Sequence, residues 1–215
     1  MLSKSLSMSE CHRITGGIGN PSKMPGKAYG LPTSACITGS VLRHIKGSVC
    51  SICYADGRGF YQQKNVQEAQ NRRLRSLTDP NWVKAMSTMI GRMRIPYFRW
   101  HDSGDLQSVE HLRNIFEVCR RTKRIRHWLP TKEREIVRRV TERESVPGNL
   151  VIRVSHPMIG ERPEHLEPEN RILGGAVACK EPGVFQCPAL TQGNACGDCR
   201  KCWSVRTKVI SYHRH

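Results

Sequence analysis

Seven of the ten cysteines in this chain of 215 residues fall into two sets with ligand-like spacing. Cys36, Cys50 and Cys53 read C-x13-C-x2-C, and Cys187, Cys196, Cys199 and Cys202 read C-x8-C-x2-C-x2-C. The start, Met1-Leu2-Ser3-Lys4, has no hydrophobic signal core, so the expected compartment is the cytoplasm. Thiols stay reduced there, and such sets then point to metal binding rather than to disulfides. Four thiolates within the sixteen residues from Cys187 to Cys202 can wrap one tetrahedral ion or one four-iron cluster. The compact C-x2-C-x2-C part matches ferredoxin-type ligation, so the expectation is a [4Fe–4S] cluster, with zinc as the alternative.

The N-terminal set has three cysteines and no convincing fourth. A cluster held by three thiolates leaves one iron open to an outside ligand, which is what radical S-adenosylmethionine chemistry requires. The spacing is wider than the usual C-x3-C-x2-C, and Tyr54 follows the last cysteine where an aromatic residue commonly precedes it. Two other arrangements stay open: zinc shared by Cys36, His44, Cys50 and Cys53, or Cys179 as a fourth thiolate.

A second group of chemistry-bearing residues is His101-Asp102-Ser103-Gly104-Asp105. Gly104 permits a tight turn, and Asp102 or Asp105 could receive an ammonium group or a ribose hydroxyl pair. The five residues are candidate cofactor ligands, and Asp102, Asp105 and Lys132 are candidate catalytic residues. Lys132 suits a carboxylate or phosphate. His156 is a weaker candidate.

These residues need elements to place them. Tyr61–Leu77 suits a helix, and Asp79-Pro80 announces another, whose stripe Trp82, Met86, Met89, Ile90 and Met93 reads as core. Ser108 caps a third helix, with Val109, Leu112, Ile115, Phe116 and Cys119 inward. A basic helix with Ile136, Val137 and Val140 inward follows Lys132. Strands are expected at 95–100, 125–129, 150–154 and 172–178, with helices between most of them, which implies parallel βαβ units. The expected fold is therefore α/β: a partial (β/α) barrel or open parallel sheet, plus an irregular Cys-rich C-terminal segment. The chain divides into an irregular leader, 1–35, a partial barrel domain carrying the first Cys motif, 36–178, and the Cys-rich segment, 179–215. Candidate site residues follow the strands, where ligands gather in parallel α/β folds.

The formal net charge is +17, and the stretches Asn71–Trp100 and His111–Glu144 together carry +12 of it. Such an excess attracts polyanions, so nucleic acid is the expected partner through basic helices. No run approaches the ~18 apolar residues of a spanning helix, so no membrane partner is expected. Hydrolase triads and Walker or GxGxxG phosphate loops have no supporting signature.

The strings Leu31-Pro32-x3-Cys36-x13-Cys50-x2-Cys53-Tyr54-Ala55, Phe98-Arg99-Trp100-His101-Asp102-Ser103-Gly104-Asp105 and Leu129-Pro130-Thr131-Lys132 resemble the phage "gene product 88" family. The tail from Cys187-Pro188-Ala189 to Cys202-Trp203 resembles the ending of one branch of these proteins. The resemblance spans roughly residues 24–203. It implies a phage or prophage protein of the bacterial cytoplasm, with a radical S-adenosylmethionine-like fold and a cluster above a partial barrel. Under it the His101–Asp105 turn plays the part of the Gly-Gly-Glu stretch that engages the methionine amine, and a reductant protein is implied as partner. The resulting expectation is an iron–sulfur protein that cleaves S-adenosylmethionine to act on nucleic acid or another polyanion. The competing expectation is a non-enzymatic, metal-stabilised nucleic-acid-binding protein.

Overall fold

The computed structural model describes residues 5–57 and 59–214. Seven strands, β1 (Lys27–Tyr29), β2 (Tyr97–Trp100), β3 (Arg126–Thr131), β4 (Leu150–Ser155), β5 (Ile172–Val177), β6 (Phe185–Gln186) and β7 (Val209–Tyr212), form one sheet. Their order is β1-β2-β3-β4-β5-β7-β6 and every pairing is parallel. The sheet stays open. Its edges, β1 with three residues and β6 with two, are too short and too far apart in the order to pair with each other. Of the two expected architectures, the open sheet is the one that forms.

Six α-helices accompany the strands among the described residues: α1 (Met8–Thr15), α2 (Ile37–Leu42), α3 (Lys64–Ser76), α4 (Trp82–Gly91), α5 (Val109–Arg121) and α6 (Arg134–Thr141). The first five strands lie in sequence order, and right-handed crossovers in such a run place their helices on one face. Trp82, Met86 and Ile90 of α4 and Leu112, Ile115 and Phe116 of α5 pack there against Phe98, Trp100, Leu129, Ile152 and Val154. Cys119 is fully buried in this core, as its place on the apolar stripe implies. Ser108 caps α5, its hydroxyl accepting from the His111 N–H at 3.0 Å. The start of α4 differs from expectation: Asp79 accepts from the Asn81 N–H at 2.8 Å, and the helix begins only at Trp82.

The opposite face is covered by residues 187–206 rather than by helices. Trp203 packs edge-on against Tyr97 and Trp128, and its indole N–H donates to the Phe98 carbonyl at 2.9 Å. Trp128, Cys202, Trp203 and Ile210 form a separate core there. The residues expected as an irregular leader carry α1 and β1, and the Cys-rich C-terminal stretch carries β6 and β7. No helix among the described residues is long and apolar enough to cross a membrane.

Candidate functional site

An all-parallel sheet puts every strand's carboxyl end on one edge. Gly30-Leu31 leaves β1 there, His101–Asp105 leaves β2, Lys132-Glu133 leaves β3 and His156 leaves β4. The three N-terminal cysteines are brought to this edge by two short loops. Cys36 ends the turn Thr33–Ala35 and stands at the N-terminus of α2. Cys50 opens a single turn, and the Cys53 N–H closes it on the Cys50 carbonyl at 3.3 Å.

Glu133, 5% exposed at the end of β3, fixes the first loop by accepting from the Thr38 N–H at 2.9 Å and the Thr38 hydroxyl at 2.7 Å. Arg43 pairs with Asp56 at 3.1 Å and donates to the Thr33 carbonyl at 3.1 Å. The loop after β4 fixes the second, since the Val49 N–H donates to the Pro157 carbonyl at 2.8 Å and the Ile159 N–H to Gly47 at 3.0 Å.

The thiols converge. A Cβ placed on Gly39 would lie 3.6 Å from both the Cys36 and the Cys50 Sγ and 2.9 Å from the Cys36 Cβ. The two sulfurs are thus within about twice 3.6 Å of each other, facing a space kept open by a missing side chain. Burial pushes the Cys36 thiol up to about 12, helped by Asp105, Cys53, Cys50 and Glu133. Burial also raises Cys50, with Lys132 acting in the opposite sense. Thiols held this way are protonated and poor nucleophiles, whereas a metal would deprotonate them on binding. No three His, Cys, Asp or Glu side chains among the described residues converge closely enough to hold one metal ion. A single zinc needs sulfurs roughly 4 Å apart, while a multi-iron cluster spans more.

The strand-end residues take different parts. Asp102 is half-buried at the exit of β2, against Gly30. Its carbonyl accepts from the Tyr54 hydroxyl at 2.5 Å, and its Oδ2 accepts from the Tyr61 hydroxyl at 3.3 Å. Its Oδ1 is buried with no hydrogen-bond partner among the described residues. A Cβ on Gly30 would fall 2.4 Å from that oxygen, so glycine there leaves the carboxylate its room. Arg99, on β2, donates to the Tyr54 hydroxyl at 3.3 Å, and its Nε is likewise buried and unpartnered.

Asp105, by contrast, is fully engaged. It accepts from the Thr131 hydroxyl at 2.5 Å and from the Leu106 and Lys132 N–H groups at 2.8 Å each, clamping the β2 exit to the β3 exit. Burial raises it to about 6, against those three donors, with Glu133 adding to the rise. Ser103 is also structural, bonded to the Leu31 carbonyl at 2.9 Å and to Gln70 at 2.6 Å. Gly104 has φ +70°, and a Cβ there would meet Leu31 backbone at 2.7 Å. His101 has φ 52° and turns its ring inward, edge-on to His111 at 5.4 Å between centroids. The Lys132 ammonium acts on Cys50, whereas His156 holds the Met158 N–H at 3.1 Å and approaches Glu161 at 3.4 Å.

The sequence did not single out Gly30, Gly39, Tyr61, Arg99 or Glu133. Only Arg99 left a readable signal, as a charged residue inside an otherwise apolar strand. The basic helices also differ from a bare cationic surface. Arg113, Arg120 and Arg121 pair with Glu117 or Glu144, and Arg138 pairs with Glu135 and Glu142.

Fold and site together define an α/β protein of open parallel sheet, with a thiol-lined site over the carboxyl edge. The chain belongs to the gene product 88 family, whose model matches residues 9–205. No curated protein and no solved structure matches it.

Proposed function

We propose that this phage-type protein is an iron–sulfur enzyme that binds S-adenosylmethionine between Cys36, Cys50 and Cys53 and the exit of β2. The observation that carries the reading is the approach of the Cys36 and Cys50 sulfurs around Gly39, on the same sheet edge as a buried, unpartnered Asp102 oxygen. Cys36, Cys50 and Cys53 would hold the cluster, with the missing side chain at Gly39 leaving the Cys36 and Cys50 sulfurs uncovered. A cluster held there would supply, with a one-electron donor protein as the reductant, the single electron for reductive cleavage of the S–C5′ bond.

The chain's own residues bind and orient. The bare Asp102 oxygen receives the ammonium group or ribose hydroxyls of the ligand, and Gly30 lets that carboxylate sit close to the backbone. Tyr54 and Tyr61 hold the Asp102 peptide and carboxylate in place. Lys132 offers a cation to the ligand carboxylate. The net charge of +17 favours a polyanionic substrate such as nucleic acid, and the bacterial cytoplasm supplies the reducing compartment.

Anaerobic reconstitution with iron and sulfide, followed by reductant and S-adenosylmethionine, tests the reading. The expected products are methionine and 5′-deoxyadenosine, both lost in Cys53→Ala. Absence of iron at the three thiols, or of any spectral response to S-adenosylmethionine, would overturn it. A metal-stabilised binding protein without catalysis would instead show salt-dependent nucleic-acid affinity and no cleavage.

A further inference from the structure

We propose that the amino-terminal edge of the sheet, opposite the thiol-lined edge, is a nucleic-acid-binding surface on which Arg92, Arg94, Lys123 and Arg126 grip the phosphate backbone. Two segments build it. Residues 91–97 lead from α4 into β2, and residues 122–126 lead from α5 into β3. An all-parallel sheet puts both on one edge, and the register of Tyr97 with Arg126 sets the two strand openings side by side, about 4.8 Å apart. Arg124 fastens the segments together. Its Nη2 donates to the Gly91 carbonyl at 2.5 Å and to the Met93 carbonyl at 2.7 Å, and the Arg126 N–H donates to the Pro96 carbonyl at 2.9 Å.

The charge on this edge is unanswered. Arg92, Arg94, Lys123 and Arg126 are exposed, and none is in an ion pair among the described residues. Residues 91–97 and 118–127 contain no Asp or Glu. The faces of α5 and α6 differ, because their arginines meet glutamates from the same or the next helix and are neutralised in place. Helix C-termini account for Arg92 and Lys123, which follow α4 and α5, but Arg94 and Arg126 stand beyond the last turn of either. Like charges held together by two fastened loops repel one another, and a bound anion relieves that repulsion. The patch also has an end: residues 145–149 before β4 carry no charge, and Glu167 and Glu169 stand before β5.

The composition of the patch selects the partner. Three of its four cations are arginines, whose planar fork matches two phosphate oxygens at once. The apolar side chain exposed between them is Ile95, at 52%, which is too little to seat the edge in a lipid surface. A chain of phosphodiesters meets several separate cations together and gains from the counterions it releases. The six residues of β3 span about 20 Å, so a backbone held here lies a strand's length from Lys132 and the thiols. Nucleic acid is thus anchored on one edge while the other stays open. This gives the polyanion of the functional reading a place, and it stands without iron or S-adenosylmethionine.

The test is binding of a labelled, random-sequence DNA duplex to the full-length protein, followed by fluorescence anisotropy over a salt series, before and after anaerobic reconstitution with iron. A Kd of about 10⁻⁶–10⁻⁴ M at physiological salt is expected in both preparations. Arg94→Glu with Arg126→Glu is expected to make the plot of log affinity against log salt shallower by about 2. Arg121→Glu with Arg138→Glu changes the net charge equally on the helices and is expected to leave that slope unmoved. Should the first pair not fold, Arg94→Gln with Arg126→Gln must show the same shallower slope. No duplex binding, an equal loss in both double variants, or a slope indifferent to Arg94 and Arg126 overturns the proposal. Binding to vesicles of anionic phospholipid without binding to the duplex overturns it in favour of a membrane. Duplex affinity without S-adenosylmethionine cleavage would sink the enzyme reading alone, and cleavage without duplex affinity would sink this one alone.

Discussion

The hydroxyl of Tyr54, the residue after the third cysteine of the N-terminal set, donates to the carbonyl of Asp102 at 2.5 Å. A loop that carries a thiol is thereby latched to the end of β2, and Arg99 supports the latch by donating to the same hydroxyl at 3.3 Å. Tyr54→Phe removes both of these hydrogen bonds, each with a net worth of about 0.5–1.5 kcal/mol. The unfolding midpoint in urea is expected to fall accordingly. Affinity for S-adenosylmethionine, measured by calorimetry on reconstituted protein, is expected to drop about tenfold, with iron content unchanged. Loss of iron in this variant would place Tyr54 in the cluster site rather than in the ligand latch.

Gly39 separates a site role from a structural one. Alanine is favoured over glycine within a helix by about 1 kcal/mol, and Gly39 lies inside α2. On propensity alone Gly39→Ala stabilises. The new methyl would nevertheless stand 2.9 Å from the Cys36 Cβ and 3.6 Å from two sulfurs, in the space assigned to iron. The crowding against the Cys36 Cβ offsets the propensity gain, so the expected result is a folded chain of near-parental stability that loses the iron held by Cys36, Cys50 and Cys53. Full iron retention would show that the thiols do not share that space.

Much of this arrangement could be read from residue order because it depends on local pattern. The stripe Trp82, Met86, Met89, Ile90, the Ser108 cap and strands β2 to β5 each declare themselves within a short window, and α/β order follows from them. Spacing names the two cysteine sets, and the fold brings Cys36 and Cys50 of the first set around Gly39. What was not legible depends on distant partners. β1 has only three residues, in a Gly- and Ser-rich stretch, and becomes a strand by pairing with β2. Arg153 alternates with Ile152 and Val154 and reads as solvent-facing, yet a segment some fifty residues later covers it. Asp105 and Asp102 look equivalent in sequence. The fold gives one to backbone donors and leaves the other with a bare oxygen, and no spacing rule distinguishes them.

That distinction is testable at Asp102. Asn in its place keeps the shape and a partner for Tyr61 but removes the charge that an ammonium group would meet. A hydrogen bond to a charged group is worth about 1.5–3 kcal/mol, so S-adenosylmethionine affinity is expected to fall by about 10- to 100-fold. Iron content and unfolding midpoint are expected to stay near those of the parent. Asp105→Asn, which places an amide against bonded N–H donors, is expected instead to lower stability. If Asp102→Asn binds normally, the ligand site lies elsewhere.

The buried histidines and Asp105 give the fold opposing pH dependences. Burial lowers His111 and His127 to about 3. A group whose folded pKa is depressed contributes stability that is present above its unfolded value, near 6.5, and lost as pH falls toward the folded one. Each of the two contributes a slope of up to about 1.4 kcal/mol per pH unit in that window. Asp105, raised to about 6, works the other way. Its contribution is fully present below the unfolded value near 3.9 and is lost as pH rises through about 6. His101 is likewise buried and held well below its ordinary value, so between pH 6 and pH 4 three histidines outweigh one carboxyl and the net expectation is falling stability on acidification. His127 shares a 2.9 Å hydrogen bond with the Thr122 hydroxyl and stacks at 17° on Trp100, so His127→Gln retains a polar partner while removing the titration. Urea titrations of parent and variant across this range are expected to show a shallower acid slope in His127→Gln and a steeper one in Asp105→Asn. Identical slopes in parent and His127→Gln would mean that the histidine ionises in place, without the burial that the fold imposes on it.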